Sequence, residues 1–271
     1  MTTHLEILVC TIDEGIKRIP HILCQPISSV SYLISWQQSA DNVRNIPIPE
    51  ELTQRNDVKI ITLKGKGLSA NRNNAIKNAT GDILLLSDDD TRYNETYLNT
   101  IIKSFQEFPQ ADIITFRGVN YHGELIRSYS DTPYEYKQRP RFSYVCSWEI
   151  AFRNLSNIPL FDTRFGLGAE FLCCGEEEVF IHQASLKGLT ILYIPRTIVS
   201  TNENTTGKQF FTNERVRYSK GAVMMLFHGF LLGSLKCLKY ALSASRFNMK
   251  RMYIFFRDMY KGMIYIRKTD C

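Results

Sequence analysis

The segment that most constrains the fold of this chain is residues 67–92, which read GLSANRNNAIKNATGDILLLSDDDTR. Its second half is a short apolar run, residues 82–87, closed by three consecutive carboxylates, Asp88, Asp89 and Asp90. This pattern predicts a buried strand with a charge cluster where the strand leaves the sheet. Open α/β sheets bind ligands at that edge. Carboxylate oxygens suit hard ions such as Mg²⁺ or Mn²⁺, and a solvated acidic turn is the structural alternative.

A predicted helix over residues 69–79, capped by Ser69, leads through a Thr-Gly turn into this strand. The unit resembles the nucleotide-binding half of a family 2 glycosyltransferase with the GT-A fold, of the bacterial-polysaccharide type. In that family a G-L-S-x-x-R-N-x-x-I-x-x-A-x-G helix precedes a strand that ends in a D-x-D-type motif. The positions that match in register are Gly67, Leu68, Ser69, Arg72, Asn73, Ile76, Ala79, Gly81 and the Asp88–Asp90 cluster.

Strand and helix patterns alternate from the N-terminus through residue 117. Apolar, β-prone runs lie at residues 6–11, 30–36 and 58–63, and residues 95–108 have apolar positions at helical spacing. Such alternation predicts an α/β fold with a largely parallel sheet. The resemblance implies the GT-A form of this class, a mixed, mostly parallel sheet flanked by helices, with a C-terminal helical extension.

The net charge of +6 is unevenly distributed along the chain. Residues 1–204 carry 20 Lys and Arg against 24 Asp and Glu, whereas residues 205–271 carry 13 against 3. We therefore predict a GT-A catalytic domain over residues 1–204 and a basic, amphipathic helical region over residues 205–271. Basic residues interleaved with Phe, Met, Leu and Tyr are typical of helices at an anionic membrane interface. Helices that pack on the catalytic domain with a basic exposed face are the alternative.

The first ten residues lack a basic region followed by an apolar core and a cleavage site, so we expect no secretory signal and a cytoplasmic chain. With the basic tail, this predicts a peripheral position on the inner face of the cytoplasmic membrane. Because no nucleic-acid-binding motif accompanies the charge, we expect no nucleic acid partner.

The resemblance implies a nucleotide-diphosphate sugar as donor and a set of residues that contact it. Thr11 and Asp13, around the loop after the first strand, are predicted to contact the nucleotide base, with a turn role as the alternative for Asp13. Many relatives carry acidic residues after the second strand, where this chain has Trp36, Gln37 and Gln38. Since an amide can both donate and accept hydrogen bonds, Gln37 or Gln38 is a candidate for base contact, and a polar strand end is equally open.

The same resemblance implies that Arg72 contacts the donor nucleotide. Asp88 and Asp89 are predicted to contact the donor, and Asp88 and Asp90 to bind Mn²⁺ or Mg²⁺. Many relatives also have a His shortly after the strand that corresponds to residues 191–195, and this chain has none there. A third metal ligand would then be a water molecule or one of two side chains, Thr201 and Asn202.

A second acidic centre lies at residues 176–178, where three Glu residues begin a predicted helix after Gly175. Acidic side chains in a first turn interact favourably with the helix dipole, which is a structural explanation for at least two of them. The resemblance implies a G-x-E-D motif here, and its register makes Glu177 the counterpart of the catalytic base, with Glu176 and Glu178 as alternatives.

The resemblance, together with the two acidic centres, implies an inverting glycosyltransferase that moves a sugar, from a UDP-sugar, to a glycan or lipid-linked acceptor in cell-surface polysaccharide synthesis. A metal-dependent nucleotidyltransferase is one alternative, although residues 11–15 lack the Gly-rich phosphate loop with a Lys or Arg typical of that class. A non-catalytic, nucleotide-sugar-binding relative is another. Four aromatic residues are candidates for stacking on a sugar, with a structural role open for each: Tyr121, Tyr134, Tyr136 and Trp148.

Overall fold

A computed structural model describes residues 3–40, 46–141, 143–201 and 209–270. The chain divides into two compact units. The first unit comprises Met1–Lys66, Ala70–Leu160 and Gln183–Glu203, and the second comprises Gly67–Ser69, Phe161–His182 and Asn204–Cys271. The predicted domain boundary at residues 204 and 205 lies within 202–208, outside the described residues.

The first unit is built on one eight-stranded sheet. Its strands are β1 (Leu5–Ile12), β2 (Val30–Gln38), β3 (Val58–Lys64), β4 (Ile83–Asp88), β5 (Ile113–Val119), β6 (Tyr134–Glu135), β7 (Ile150–Arg153) and β8 (Ile191–Ser200). They lie in the order β3-β2-β1-β4-β7-β5-β8-β6. The pairs β1–β2, β1–β4, β2–β3 and β5–β8 are parallel, whereas β7 is antiparallel to β4 and β5, and β6 is antiparallel to β8. This mixed, mostly parallel sheet confirms the predicted α/β fold class.

The helices also follow the predicted alternation. They are α1 (Glu50–Thr53), α2 (Leu68–Asn78), α3 (Glu95–Glu107), α4 (Glu176–Leu186), α5 (Glu214–Ala244) and α6 (Met249–Thr269). A 3₁₀ helix, Asp13–His21, follows β1. Helix α3 begins at Glu95 because the Asn94 side chain caps it. The Asn94 side chain accepts a hydrogen bond from the Tyr97 N–H at 2.8 Å. Its apolar stripe then buries Leu98, Ile101 and Phe105.

Strands β1 and β4 form the centre of the core and set the position of the acidic cluster. Residues 83–86 of β4 are fully buried, as expected for a parallel strand covered on both faces. In the register between these strands, Cys10 lies opposite Asp88. The carboxyl ends of β1 and β4 therefore leave the sheet side by side, and the residues that follow them share one edge.

The start of helix α2 differs from the prediction that Ser69 caps it. The helix begins at Leu68, so Ser69 lies inside the first turn, and its hydroxyl donates to the Phe165 carbonyl at 2.6 Å. The Leu68 N–H donates to the Leu167 carbonyl at 2.8 Å. A glycine-rich turn nearly a hundred residues away thus satisfies the helix start, which local sequence does not reveal.

Helices α5 and α6 pack closely against each other in the second unit, and this confirms the predicted helical C-terminal region. A Cβ atom at Gly221 would collide with the Met259 carbonyl, and one at Gly262 with the Tyr218 carbonyl. Only glycine permits backbones to approach this closely.

Candidate active site

Asp88, the last residue of β4, is held by two side chains from distant parts of the first unit. One carboxylate oxygen accepts a hydrogen bond from Arg72 Nη2 at 3.1 Å, and the other accepts one from Ser147 Oγ at 3.0 Å. The Arg72 side chain, on α2, is almost completely buried. A buried guanidinium paired with a carboxylate fixes the orientation of both groups. Asp88 is therefore pre-oriented at the carboxyl edge of the sheet.

Asp89 is held from the opposite direction by the loop after β1. Its Oδ2 atom accepts hydrogen bonds from Thr11 Oγ1 and from Arg18 Nη2, both at 2.6 Å. A Cβ atom at Gly15 would collide with both the Thr11 hydroxyl and the Asp89 carboxylate. Glycine at this position is therefore what allows the loop backbone to come so close to the acidic cluster.

Asp90 is the exposed member of the cluster. Desolvation raises the pKa of its carboxyl, and the negative charges of Asp88 and Asp89 raise the pKa further. Its backbone carbonyl accepts a hydrogen bond from the Tyr121 hydroxyl at 2.6 Å, and the Arg92 guanidinium lies 4.3 Å from the Tyr121 ring centroid. The three adjacent carboxylates concentrate negative charge at this edge, which a bound cation would compensate.

Asn71 connects the edge of the sheet to helix α2. Its side-chain nitrogen donates to the carbonyls of Thr11 and Ser35, each at 3.0 Å, and its oxygen accepts from the Ser35 hydroxyl at 2.6 Å. All three residues are buried. One amide thus joins the ends of β1 and β2 to the helix that carries Arg72.

Asp13 and Gln37 were predicted to contact the base. The Asp13 carboxylate accepts from the Ser39 N–H at 2.8 Å and from the Ser39 hydroxyl at 2.5 Å, and its carbonyl accepts from Trp36 Nε1 at 2.9 Å. These bonds close the loop after β1 onto the end of β2, which is the turn role given above as the alternative for Asp13. Gln37 is buried in β2 opposite Ile12 and Leu63. Base contact by either residue stays a prediction.

The three Glu residues of the second acidic centre lie in the second unit, in the first turn of α4 as predicted. Glu176 is buried, and its carboxylate lies so near Gly166 that a Cβ there would come within 3.2 Å of it. Glu178 forms an ion pair with Lys220 of α5 at 3.6 Å. Glu177, which lies between them in the sequence, is half-buried. These different surroundings distinguish the three candidates for the base, while the catalytic role itself stays a prediction.

The residues at the end of β4 suit a divalent ion that arrives with a phosphate ligand. Within the described ranges, no group of three or more His, Cys, Asp and Glu side chains is arranged to hold a metal ion. Mg²⁺ is commonly bound by one or two carboxylates together with substrate phosphates and water, and Asp88 and Asp90 match that donor set. Of the two substitutes for the missing His, Thr201 is buried, with its N–H bonded to the Val119 carbonyl at 3.0 Å. Asn202 lies outside the described residues.

The four aromatic candidates have different surroundings. Trp148 belongs to the core, where its ring lies against Gly118 so closely that a Cβ would collide with it. Tyr134 stacks on Tyr193 with ring centroids 4.5 Å apart, and Arg139 lies over the Tyr136 ring at 4.0 Å. Tyr121, by contrast, is exposed and bonded to the backbone of the acidic cluster. Contact of any of the four with a sugar stays a prediction.

Sequence reasoning missed two residues of this site, Arg18 and Ser147. Arg18 could have been found, because an arginine in the first turns after β1 lies at the same sheet edge as the acidic cluster. Ser147 carries no such signal, since it is 59 residues from Asp88.

Ser147 is positioned by a buried ion pair in the same short turn. The Glu149 carboxylate is fully buried and accepts hydrogen bonds from Arg127, from the Tyr129 hydroxyl and, at 2.9 Å, from the Cys146 N–H. Burial raises the pKa of Glu149, and the charge of Arg127 opposes that shift. These contacts anchor the turn that places Ser147 on Asp88.

Comparison with known proteins identifies a family whose match includes the acidic cluster. The family described as Glycosyl transferase family 2 matches residues 38–160, which contain α2 and the acidic cluster. No curated protein matches the chain. Residues 1–349 of S. aureus TarS match with a TM-score of 0.60 and 16% identity, over 96% of this chain and 81% of that one.

Two ligand complexes of the same TarS fragment match similarly. The UDP complex has a TM-score of 0.58 and 18% identity, over 91% of this chain and 74% of that one. The UDP-GlcNAc complex has a TM-score of 0.57 and 15% identity, over 96% and 82%. At such identities the structural likeness shows the fold, and the family match covers the segment with the acidic strand. Residues 38–160 match glycosyltransferase family 2, and the structural likeness to TarS shows the GT-A fold.

Proposed function

We propose that this chain is a family 2 glycosyltransferase and that it transfers a sugar from a UDP-sugar to a glycan or lipid-linked acceptor, with inversion at the anomeric carbon. The observation that carries the donor part is the anchoring of Asp88 by Arg72 and of Asp89 by Thr11 and Arg18. These contacts hold two carboxylates and two guanidinium groups at the carboxyl edge of the sheet, where α/β folds bind nucleotides. TarS has been crystallised with UDP and UDP-GlcNAc, which supports a uridine donor and makes UDP-GlcNAc the first one to test.

The carboxyl edge of the sheet is suited to bind the diphosphate of the donor. The Arg18 side chain is 57% exposed although it is paired with Asp89, so its remaining N–H groups face solvent. Guanidinium groups bind phosphate through parallel hydrogen bonds. Mn²⁺ or Mg²⁺, held by Asp88 and Asp90, would neutralise charge on the leaving diphosphate. Asp89 then acts as a donor contact and as the anchor for Arg18.

Glu177 is the proposed general base. It takes the proton of the acceptor hydroxyl as that oxygen attacks the anomeric carbon, the bond from that carbon to the diphosphate breaks, and UDP leaves. Glu178 is already paired with Lys220, and Glu176 is buried beside Gly166. The family register, which makes Glu177 the counterpart of the catalytic base, favours Glu177 among the three.

The acceptor that we propose belongs to cell-surface polysaccharide synthesis, and the enzyme would act on it at the cytoplasmic face of the membrane. The support is the charge distribution, since residues 205–271 carry 13 Lys and Arg against 3 Asp and Glu. Anionic lipids attract such segments, which would place the enzyme beside a lipid-linked acceptor.

Incubation of the full chain with a panel of nucleotide sugars and Mn²⁺, with and without a lipid-linked glycan acceptor, tests the proposal. We expect release of free UDP from one UDP-sugar, accelerated by the acceptor, and a product of inverted anomeric configuration by NMR. Release of pyrophosphate would instead indicate a nucleotidyltransferase. Calorimetric binding of a UDP-sugar without turnover under any condition would indicate the non-catalytic, sugar-nucleotide-binding alternative.

A further inference from the structure

Helix α5 is long and apolar enough, by length and composition alone, to be a candidate membrane-spanning helix among the described residues. Its 31 residues are interrupted at Gly229, whose backbone angles, φ 68° and ψ 179°, are not helical. A spanning helix needs ~20 consecutive apolar residues. Residues 214–228 and 230–244 each fall short of that length.

The break at Gly229 is a sharp bend, as contacts across it show. The Met224 carbonyl lies 2.9 Å from the position of a Cβ on Gly233, and Lys236 Nζ lies 2.9 Å from His228 Nε2. Residues eight or nine apart in a straight helix are separated by ~12 Å or more along its axis. The chain therefore folds back on itself at Gly229, and α5 is not one continuous rod.

The second half of α5 has an apolar face that is open to solvent. Leu231, Leu235, Leu238 and Leu242 are 81, 65, 42 and 36% exposed. Their spacing of four, three and four residues places them on one side of the helix. Four leucines in one exposed row are a large apolar surface for a protein in water.

Helix α6 carries a second set of exposed residues, spaced by four and seven positions. Met249, Tyr253 and Tyr260 are 67, 63 and 38% exposed, and Phe247, in the turn before the helix, is 77% exposed. Tyrosine suits the boundary between water and lipid, because its ring is apolar and its hydroxyl is polar.

The cations near these rows are exposed, whereas Asp258, the one acidic residue in residues 230–260, is neutralised by an ion pair. Lys239, Arg246, Lys250 and Arg251 are all exposed. Asp258 is fully buried and accepts a hydrogen bond from Arg217 Nε at 2.8 Å. The exposed residues of these two helices are therefore apolar rows with exposed cations near them in the chain. This combination complements an anionic lipid surface, which offers both negative headgroups and an apolar interior.

We propose that residues 230–260 bind an anionic membrane as an interfacial element, with the two exposed rows inserted below the headgroups, and that α5 does not cross the bilayer. Leu235 and Leu238 insert from α5, and Tyr253 lies at the boundary from α6. Lys250 and Arg251 contact the headgroups. The inference depends on α5 and α6 alone and is independent of the proposed sugar transfer.

Co-sedimentation of the full chain with phosphatidylcholine vesicles, with and without phosphatidylglycerol, tests the surface. We expect binding to the anionic vesicles, weakened by salt. The double variant Leu235→Ser/Leu238→Ser should weaken it by about tenfold or more, because two inserted side chains are lost. Leu186→Ser is the matched control, since Leu186 is a leucine of α4 that is 74% exposed, and it should bind like the wild type.

Charge reversal and extraction complete the test. Lys250→Glu/Arg251→Glu should abolish the preference for anionic vesicles, whereas Lys103→Glu, an exposed site on α3, should not.

Alkaline carbonate should release the bound chain from vesicles. Resistance to carbonate would show that α5 spans the bilayer. Equal recovery with neutral and anionic vesicles would show that binding does not depend on the negative headgroups. Either result overturns the proposal. So would concentration-dependent dimerisation that the leucine variants abolish in the absence of lipid binding, because a second copy would then cover the face. Calorimetric UDP binding by the same variants reports separately on the donor site.

Discussion

Arg18 and Asp89, 71 residues apart in the chain, form an ion pair with 2.6 Å between Arg18 Nη2 and Asp89 Oδ2. The arginine is 57% exposed and the aspartate 15%. A pair this open to water adds little to stability, commonly below ~1 kcal/mol. Its importance lies in placing a cation beside the proposed diphosphate site.

Replacement of that cation should affect binding more than folding. In Arg18→Ala we expect an unchanged melting temperature and UDP affinity about tenfold weaker, equivalent to ~1.4 kcal/mol, by calorimetry. Lys17→Ala removes a neighbouring exposed cation that pairs with Glu14 and should bind UDP normally. Equal affinities in the two variants would show that Arg18 has no contact with the nucleotide.

Gly15→Ala should disrupt the site by steric collision. The added methyl group would collide with the Thr11 hydroxyl and the Asp89 carboxylate, and relief requires these hydrogen-bonded side chains or the loop to move. We expect a destabilisation of roughly 1–3 kcal/mol in urea unfolding, together with loss of measurable UDP binding. Glu14→Ala, at the exposed neighbouring position, is the control. Wild-type affinity in Gly15→Ala would contradict the loop's role at the donor site.

Arg72→Ala should weaken nucleotide binding, and a second substitution at its ion-pair partner, Asp88, can show the reason. If Arg72 acts only by orienting Asp88, its loss and that of Asp88→Asn should be non-additive in a double-mutant cycle of UDP affinity. Additive losses would indicate that Arg72 contacts the nucleotide directly, as the family resemblance implies. Wild-type affinity in Arg72→Ala would leave it a structural residue of α2.

Asp90→Ala should remove the metal dependence of donor binding. Because the described residues offer no complete metal cage, we expect Mn²⁺ to bind weakly alone and tightly with UDP. Removing Mn²⁺ with a chelator should lower UDP affinity in the wild type and have little effect in Asp90→Ala. Asp131→Ala, whose parent side chain is 93% exposed, should respond like the wild type. A metal response that survives in Asp90→Ala would exclude Asp90 as a ligand.

Glu177→Gln should separate catalysis from donor binding. The amide keeps the size of the side chain but cannot take the acceptor proton, so turnover should fall by about 10²–10⁴-fold while UDP affinity is retained. Glu178→Gln removes only the charge that pairs with Lys220 and should keep most of the activity. Full turnover in Glu177→Gln, with a loss in Glu176→Gln or Glu178→Gln, would show that another Glu is the base.

The sequence alone determined the elements that depend on neighbouring residues. The apolar run of β4, its acidic end at Asp88 and the acidic first turn of α4 could be predicted because periodicity and charge along the chain encode them. The alternation of strands and helices also predicted a largely parallel sheet, whose strands share an edge, whereas the bond of Thr11 to Asp89 was found only in the structure. The basic excess of the tail was visible in the same way.

Only the tertiary structure decided which side chains complete the site and what the tail presents to solvent. The bond of Ser147 to Asp88 and the support of α2 by the turn at Phe165 each join segments far apart in the chain. Such pairs depend on packing of the whole fold, which no local pattern records. The bend at Gly229 was equally hidden, because glycine is compatible with both a helix and a break, and the packing around it decides between them. That choice turns a sequence long enough to be considered for a membrane span into two short segments with an exposed apolar row.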